Sequence, residues 1–293
     1  PPHHPTTTPP PVPLDLDHLA RQMGDFRQHR TQRESELSRQ LERALHALGE
    51  CAGAWEELRD KAEDVTQWLV ARLREAPDRK VAPDVRPTPV TVVATDGSQV
   101  YPDRHREPHC YVLNVSRIAF QYGTEERPLI ESVPRLGYDR QAVADALDEV
   151  LPDPTPEVVS ALRDELELEA LLDTARQARV EGRPIVAVAD GTLIRWMLRS
   201  MRDRDGAQRF VEKYAALLEG FREDGIPVCS YLSLPGNTEV VNLLRVHAGE
   251  CDVPGELEET LDGVLDRWIF ERTLLPGERS ALFESSSRIQ KEY

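Results

Sequence analysis

Apolar residues recur at steps of three and four from Leu14 to about Ala76: Leu16, Leu19, Met23 and Phe26, then Leu37, Leu41, Ala44, Leu48, Cys51, Trp55 and Leu58, then Trp68, Leu69 and Leu73. That period predicts helix, stopped by Pro77 and broken near Gly49 and Gly53. The stripe suits packing within one chain or on a second subunit, and the pattern leaves both open. After the proline-punctuated stretch 77–89, short β-branched runs alternate with helical ones. Strands are expected at Val90–Thr95, Cys110–Tyr122, Pro128–Val133, Ile185–Ala189 and Pro227–Leu232. Helices are expected at Val158–Val180, Phe210–Phe221, Glu239–Val246 and Leu261–Leu274. The fold class is therefore α/β. A proline-rich, disordered arm is expected over 1–13, a helical arm over 14–80 and an α/β domain over 81–293.

Composition narrows the setting. A chain of 293 residues buries a core without staples. No apolar run reaches the roughly 18 residues of a membrane span. The N-terminus has no basic segment followed by an apolar one, so no signal peptide is expected. Cys51, Cys110, Cys229 and Cys251 are far apart, and none forms a C-x-x-C pair, which argues against a zinc or redox motif. A reducing, cytoplasmic setting follows. His3 and His4 are too isolated to be a metal site. The net charge of -16 argues against tight, independent binding to nucleic acid, because neutralising phosphates takes Lys and Arg.

Two of the apolar strands end alike. Val90–Thr95 runs into Asp96-Gly97-Ser98, and Ile185–Ala189 runs into Asp190-Gly191-Thr192. Strand ends in open α/β sheets are where a rigid scaffold holds side chains at a mouth. If the strands are neighbours, two carboxylates converge, and their repulsion calls for a proton or a cation. Oxygen-only ligands suit Mg²⁺ or Mn²⁺. The competing reading of each Asp-Gly pair is a simple turn. A third carboxylate is expected from Asp164, Glu165, Glu167 or Glu169 on the intervening helix, although Arg163 and Glu167 also fit a surface ion pair at i and i+4. Val188-Ala189-Asp190-Gly191-Thr192-Leu193 is similar to the haloacid dehalogenase signature D-x-D-G-T-L, but Val188 stands where that family's nucleophilic Asp is required. Phosphotransfer of that type is excluded.

A longer series of fragments resembles the NurA nuclease family. They are Asp96-Gly97-Ser98-Gln99 with Tyr101-Pro102-Asp103-Arg104-His105, then Asn114-Val115 and Tyr122-Gly123, then Arg163 with Glu167-Leu168-Glu169. Asp190-Gly191-Thr192-Leu193-Ile194 follows, then Tyr231-Leu232-Ser233, Glu239 to Arg245, and Leu275-Pro276-Gly277-Glu278-Arg279-Ser280 with Phe283 and Ser285-Ser286-Ser287. The resemblance covers roughly Val90 to Tyr293. It implies an RNase H-like mixed sheet flanked by helices, and a Mn²⁺- or Mg²⁺-dependent deoxyribonuclease. It also implies a homodimer that acts with HerA, a hexameric DNA-translocating ATPase, in the resection of DNA ends for repair, as a 5′ to 3′ exonuclease with endonuclease activity. Asp96 and Asp190 map to metal ligands and catalytic residues, and so does Glu167, with Glu169 its competitor. The class to set against this is a non-catalytic adaptor that docks on the ATPase ring and shapes a DNA channel. Family members carry a further catalytic residue, often His, beyond the serine-rich segment. Here every histidine lies at or before His247, so the natural polypeptide is expected to continue past Tyr293.

Overall fold

In the computed structural model of this chain, residues 16–65, 68–85, 88–103, 105, 110–138, 155–193, 204–249 and 261–287 are described. The expected arm over 1–13, Cys251 and residues 288–293 lie outside them. Along the chain run α1 (Leu16–Cys51), α2 (Trp55–Glu63), β1 (Ala71–Leu73), β2 (Val90–Val100), β3 (Tyr111–Tyr122), β4 (Leu129–Gly137), α3 (Pro156–Ala178), β5 (Ile185–Asp190), α4 (Arg204–Glu223), β6 (Val228–Tyr231), α5 (Glu239–His247), α6 (Asp266–Thr273) and β7 (Phe283–Ser285). They fall into two compact units, one of residues 1–82 and 236–286, the other of 83–235 and 287–293.

The first unit is mainly helical. Ala44, Leu48 and Cys51 of α1 pack with Leu58 and Ala62 of α2, with Val241, Leu243 and Leu244 of α5, and with Ile269 of α6. The expected helix break falls at the short 3-10 turn Ala52–Ala54. Helix does not continue to Ala76, however. The second helix ends at Glu63, and Ala71–Leu73 instead pairs antiparallel with Phe283–Ser285. A distant partner strand overrides the local period there, as tertiary context commonly does. The last helix likewise begins only at Asp266. Cys51 is buried, and burial pushes its thiol up to about 12, which makes it inert.

The second unit holds the sheet, in the order β4-β3-β2-β5-β6. The strands β2, β3 and β4 form an antiparallel meander, while β5 and β6 run parallel to β2. This is the mixed sheet flanked by helices expected of an RNase H-like fold. Two strands are longer than their apolar runs suggest. The second strand continues through Asp96 and Gly97 to Val100, and β4 reaches Gly137. Pro134 is tolerated in β4 because that strand is an edge. Between β4 and β5, α3 crosses the sheet. Thr155 caps it, accepting from the Val158 N–H, with Pro156 in its first turn. Between Val158 and Ala175 only Arg163, Glu169 and Asp173 escape full burial, because the helix is covered by the sheet on one side and by α4 on another.

In the first unit the start of α5 depends on one side chain. The buried Asp266 carboxylate accepts from the backbone N–H groups of Val240 (3.1 Å) and Val241 (2.8 Å). These are orphan donors of a first helical turn. Asp266→Ala is therefore expected to lower unfolding free energy by about 1–3 kcal/mol in a urea titration. Asp266→Asn, which keeps one acceptor, should lose less. Equal loss in both variants would show that packing, not capping, is what Asp266 supplies.

Candidate active site

Alternate residues of a strand share a face, and every second position of β2 from Thr95 onward meets α3. The Thr95 hydroxyl donates to the backbone carbonyl of Glu167 at 3.0 Å. At Gly97 an added Cβ would land on Oε1 of Glu167, within 2.7 Å of its Cδ and 2.8 Å of its Cγ. The side-chain oxygen of Gln99 accepts from Arg163 Nη1 at 3.0 Å. Just beyond the strand, the Tyr101 hydroxyl lies 2.7 Å from the Gln99 amide nitrogen and 2.8 Å from the Ser160 hydroxyl. Ascending positions on the strand thus meet descending positions on the helix, so the two elements run antiparallel and are zipped by polar contacts.

Arg163 is the centre of charge in this zipper. Its Nε lies 3.0 Å from Glu167 Oε1, and its Nη2 lies 2.6 Å from Asp164 Oδ1. Both acids are buried, Asp164 at 4% and Glu167 at 8% exposure. The i, i+4 pair read from the sequence is therefore present, but it is buried rather than superficial. Burial pulls the Arg163 guanidinium down, yet the Asp164 hydrogen bond and the charges of Asp164 and Glu167 leave it above its ordinary value. Hydrogen bonds from Ser160 and then Gln99 hold the Tyr101 hydroxyl below its usual range. Glu165, also buried, pairs with Lys213 of α4 at 2.5 Å. Glu169 points elsewhere, into a small cleft with Arg117, Arg135 and Asp173.

Asp96 and Asp190 occupy the opposite face. Thr95 and Ala189 are register partners on the adjacent parallel strands, and both are buried on the helix side. Adjacent strands lie about 4.8 Å apart, and the next residue of each, Asp96 and Asp190, is exposed on the other face. The two Asp-Gly pairs differ in kind. Asp96-Gly97 continues a strand and is not a turn, and its glycine makes room for Glu167. Asp190-Gly191 ends β5 in a bend, with Gly191 at φ +74° and its N–H donating to the Tyr231 carbonyl. The structure thus sets Asp96 beside Asp190 and brings Glu167 to the strand end from the other side. Among the described residues no three His, Cys, Asp or Glu side chains are grouped closely enough to hold an ion. Single residues read from the sequence pointed to Arg163 and Gln99, but not to their joint contact. The signal for it was the two-residue spacing of Thr95, Gly97 and Gln99.

The model of the NurA domain matches residues 90–293, which is more than half of the chain. The chain belongs to the NurA family. Among curated proteins none matches it. Among solved structures it is similar to the NurA nuclease from Sulfolobus solfataricus, with 14% identity over 77% of this chain and 64% of that one, at a TM-score of 0.29. A second NurA crystal structure shares 16% identity over 81% of this chain and 58% of that one, at a TM-score of 0.27. The Prototype Foamy Virus protease-reverse transcriptase shares 13% identity over 59% of this chain, at a TM-score of 0.29. The chain spans only 22% of that viral protein and less than two thirds of either NurA structure. The NurA match runs through the whole β2–α3 zipper and both strand-end aspartates.

The contact at Gly97 makes a sharp stability prediction. Gly97→Ala should destabilise the chain by about 1–3 kcal/mol, the usual cost of overpacking. In a Glu167→Ala background the same change should be neutral or mildly stabilising, since the obstruction is gone and Ala is less flexible than Gly. Denaturant titrations of the four proteins measure the coupling. An equal cost of Gly97→Ala in both backgrounds would show that Glu167 does not occupy the space.

Proposed function

We propose that this NurA-family chain is a Mn²⁺- or Mg²⁺-dependent deoxyribonuclease. The observation that carries this reading is the placement of Asp96 and Asp190 on neighbouring parallel strands, with Glu167 brought to the residue beside Asp96. The chemistry of the donors suits a hard divalent cation, because Asp96, Asp190 and Glu167 all offer carboxylate oxygens, but among the described residues the three are not grouped around one point. Asp96 and Asp190 would hold the cation from the exposed face, within reach of a phosphodiester backbone. Glu167, preferred to Glu169 in its separate cleft, would serve as third ligand only by leaving its ion pair with Arg163 on the helix face. When bound, such an ion acidifies a water molecule and offsets charge on the phosphate oxygens. The chain's own residues supply the fixed carboxylates and the scaffold that orients them.

The finer features belong to the same proposal. The chain acts as a homodimer with a HerA-type hexameric ATPase in DNA end resection, as a 5′ to 3′ exonuclease with endonuclease activity, in the cytoplasm. The net charge of -16 supports dependence on a partner that delivers DNA. Among the described residues no helix is long and apolar enough to cross a membrane. Among the described residues no ready-grouped set of three ligands is present, and this supports the second reading, a non-catalytic adaptor on the ATPase ring.

The test is cleavage of linear duplex DNA in Mn²⁺ by the full chain, alone and with the HerA-type ring. Asp96→Asn is expected to abolish cleavage while leaving the melting temperature unchanged or raised, since a repelling charge is lost and the strand core is untouched. The ring is expected to raise the rate of the unmodified chain. Normal cleavage by Asp96→Asn would remove Asp96 from the site. DNA retained on the ring with no cleavage under any metal would favour the adaptor.

A further inference from the structure

We propose that Leu232 and Leu234, in the loop that follows β6, form an apolar lip that takes the unstacked bases of a DNA end and so opens a duplex for cleavage. This rests on the reading of the chain as a deoxyribonuclease that works at Asp96 and Asp190, and it requires no particular arrangement of metal ligands. The place of the loop follows from strand register. Thr95 pairs with Ala189, and Asp190 pairs with Tyr231, so Asp96, Asp190 and Tyr231 stand in one row across three parallel strands. All three are exposed. Neighbouring strands lie about 4.8 Å apart, which puts the start of the loop about 10 Å from Asp96. The Gly191 N–H donates to the Tyr231 carbonyl at 3.1 Å and fixes that start. Leu232 and Leu234 come one and three residues later.

Two features of the loop select bases as its ligand. It leaves large apolar side chains in water, for Leu232 is 46% and Leu234 75% exposed. Pro235 restricts the backbone that carries Leu234. A single exposed leucine needs no explanation, but two within three residues, next to the row of the aspartates, call for one. The loop also has no charged residue from Tyr231 to Thr238, in a chain where 30% of residues are charged. Neutralising phosphates takes Lys and Arg, so this loop is poorly suited to the DNA backbone. The faces of unstacked bases are apolar, and leucine is among the side chains that wedge between base steps. Burying two leucines gains free energy of the same order as unstacking one step costs. The exchange is thus favoured at a DNA end, where the last pair is stacked on one side only.

The test compares the unmodified full chain with the double variant Leu232→Ser, Leu234→Ser on two linear DNAs in Mn²⁺. One DNA is blunt, and the other has mismatched terminal pairs, so that its end is already splayed. Both positions are exposed, and the melting temperature is expected to stay the same. The double variant should cut the blunt DNA about 10-fold more slowly, and the splayed DNA within about twofold of the unmodified rate, the scale of losing one leucine contact that only the blunt end needs. Leu234→Met, which keeps the apolar surface, should retain the blunt-end rate. A second readout needs no cleavage. With a base analogue quenched by stacking in the terminal pair, and EDTA present, the unmodified chain should raise the fluorescence and the double variant should not. Equal loss on both DNAs, or no loss on either, overturns the proposal. So does a loss seen only when the HerA-type ring is present, which would make the loop a contact for a protein. If the unmodified chain cuts neither DNA, the nuclease reading fails. The lip then stands on the fluorescence alone, and it falls if that signal is absent or survives in the double variant.

Discussion

The missing side chain at position 97 is the constraint on which the rest of the sheet unit depends. With any Cβ there, the Glu167 side chain could not lie against β2. The contacts of Thr95 with the Glu167 carbonyl and of Gln99 with Arg163 share that separation between strand and helix. All three would have to readjust together. The glycine thus sets the distance between α3 and β2, and the polar pairs then set the register of one on the other. Apolar packing of Leu162, Leu166 and Leu171 supplies the drive for burial but tolerates sliding. Directional bonds do not.

The two faces of the sheet handle charge in opposite ways. On the helix face, acids are buried and held by cations: Asp164 and Glu167 share Arg163, and Glu165 pairs with Lys213. Breaking such a pair by removing one partner typically costs about 3–5 kcal/mol, because an uncompensated charge is left inside. On the other face, Asp96 and Asp190 stand in water and need no such match. Two cations thus serve three inward acids, while the outward pair is solvated.

Much of this was legible in the residues. The buried strands at Val90 and Ile185 and the aspartates that close them follow from pattern alone, and so does the helix between them. The strand at Ala71–Leu73 was not legible, because its partner lies more than two hundred residues away and its own apolar spacing also suits a helix. The different parts played by Gly97 and Gly191 were not legible either. Both follow an aspartate at the end of an apolar run, and only three-dimensional neighbours separate a glycine that admits a carboxylate from one that takes a positive φ where the strand ends. Choosing among Asp164, Glu165, Glu167 and Glu169 required the same information, since all four lie within two helical turns.

The first helix carries a consequence of another kind. It has 36 residues, about 54 Å of helix, yet every described residue before Arg33 is exposed, Leu16, Leu19, Met23 and Phe26 among them. Among the described residues, only its second half belongs to a core. An isolated helix of that free length is marginal in water. The backbone amides of its first turns should then exchange with solvent almost as freely as those of a detached peptide, while those around Ala44 and Leu48 exchange only when the unit opens. Substitutions in the exposed stripe would be thermodynamically silent in the isolated chain. They would register only in an assembly that covers them.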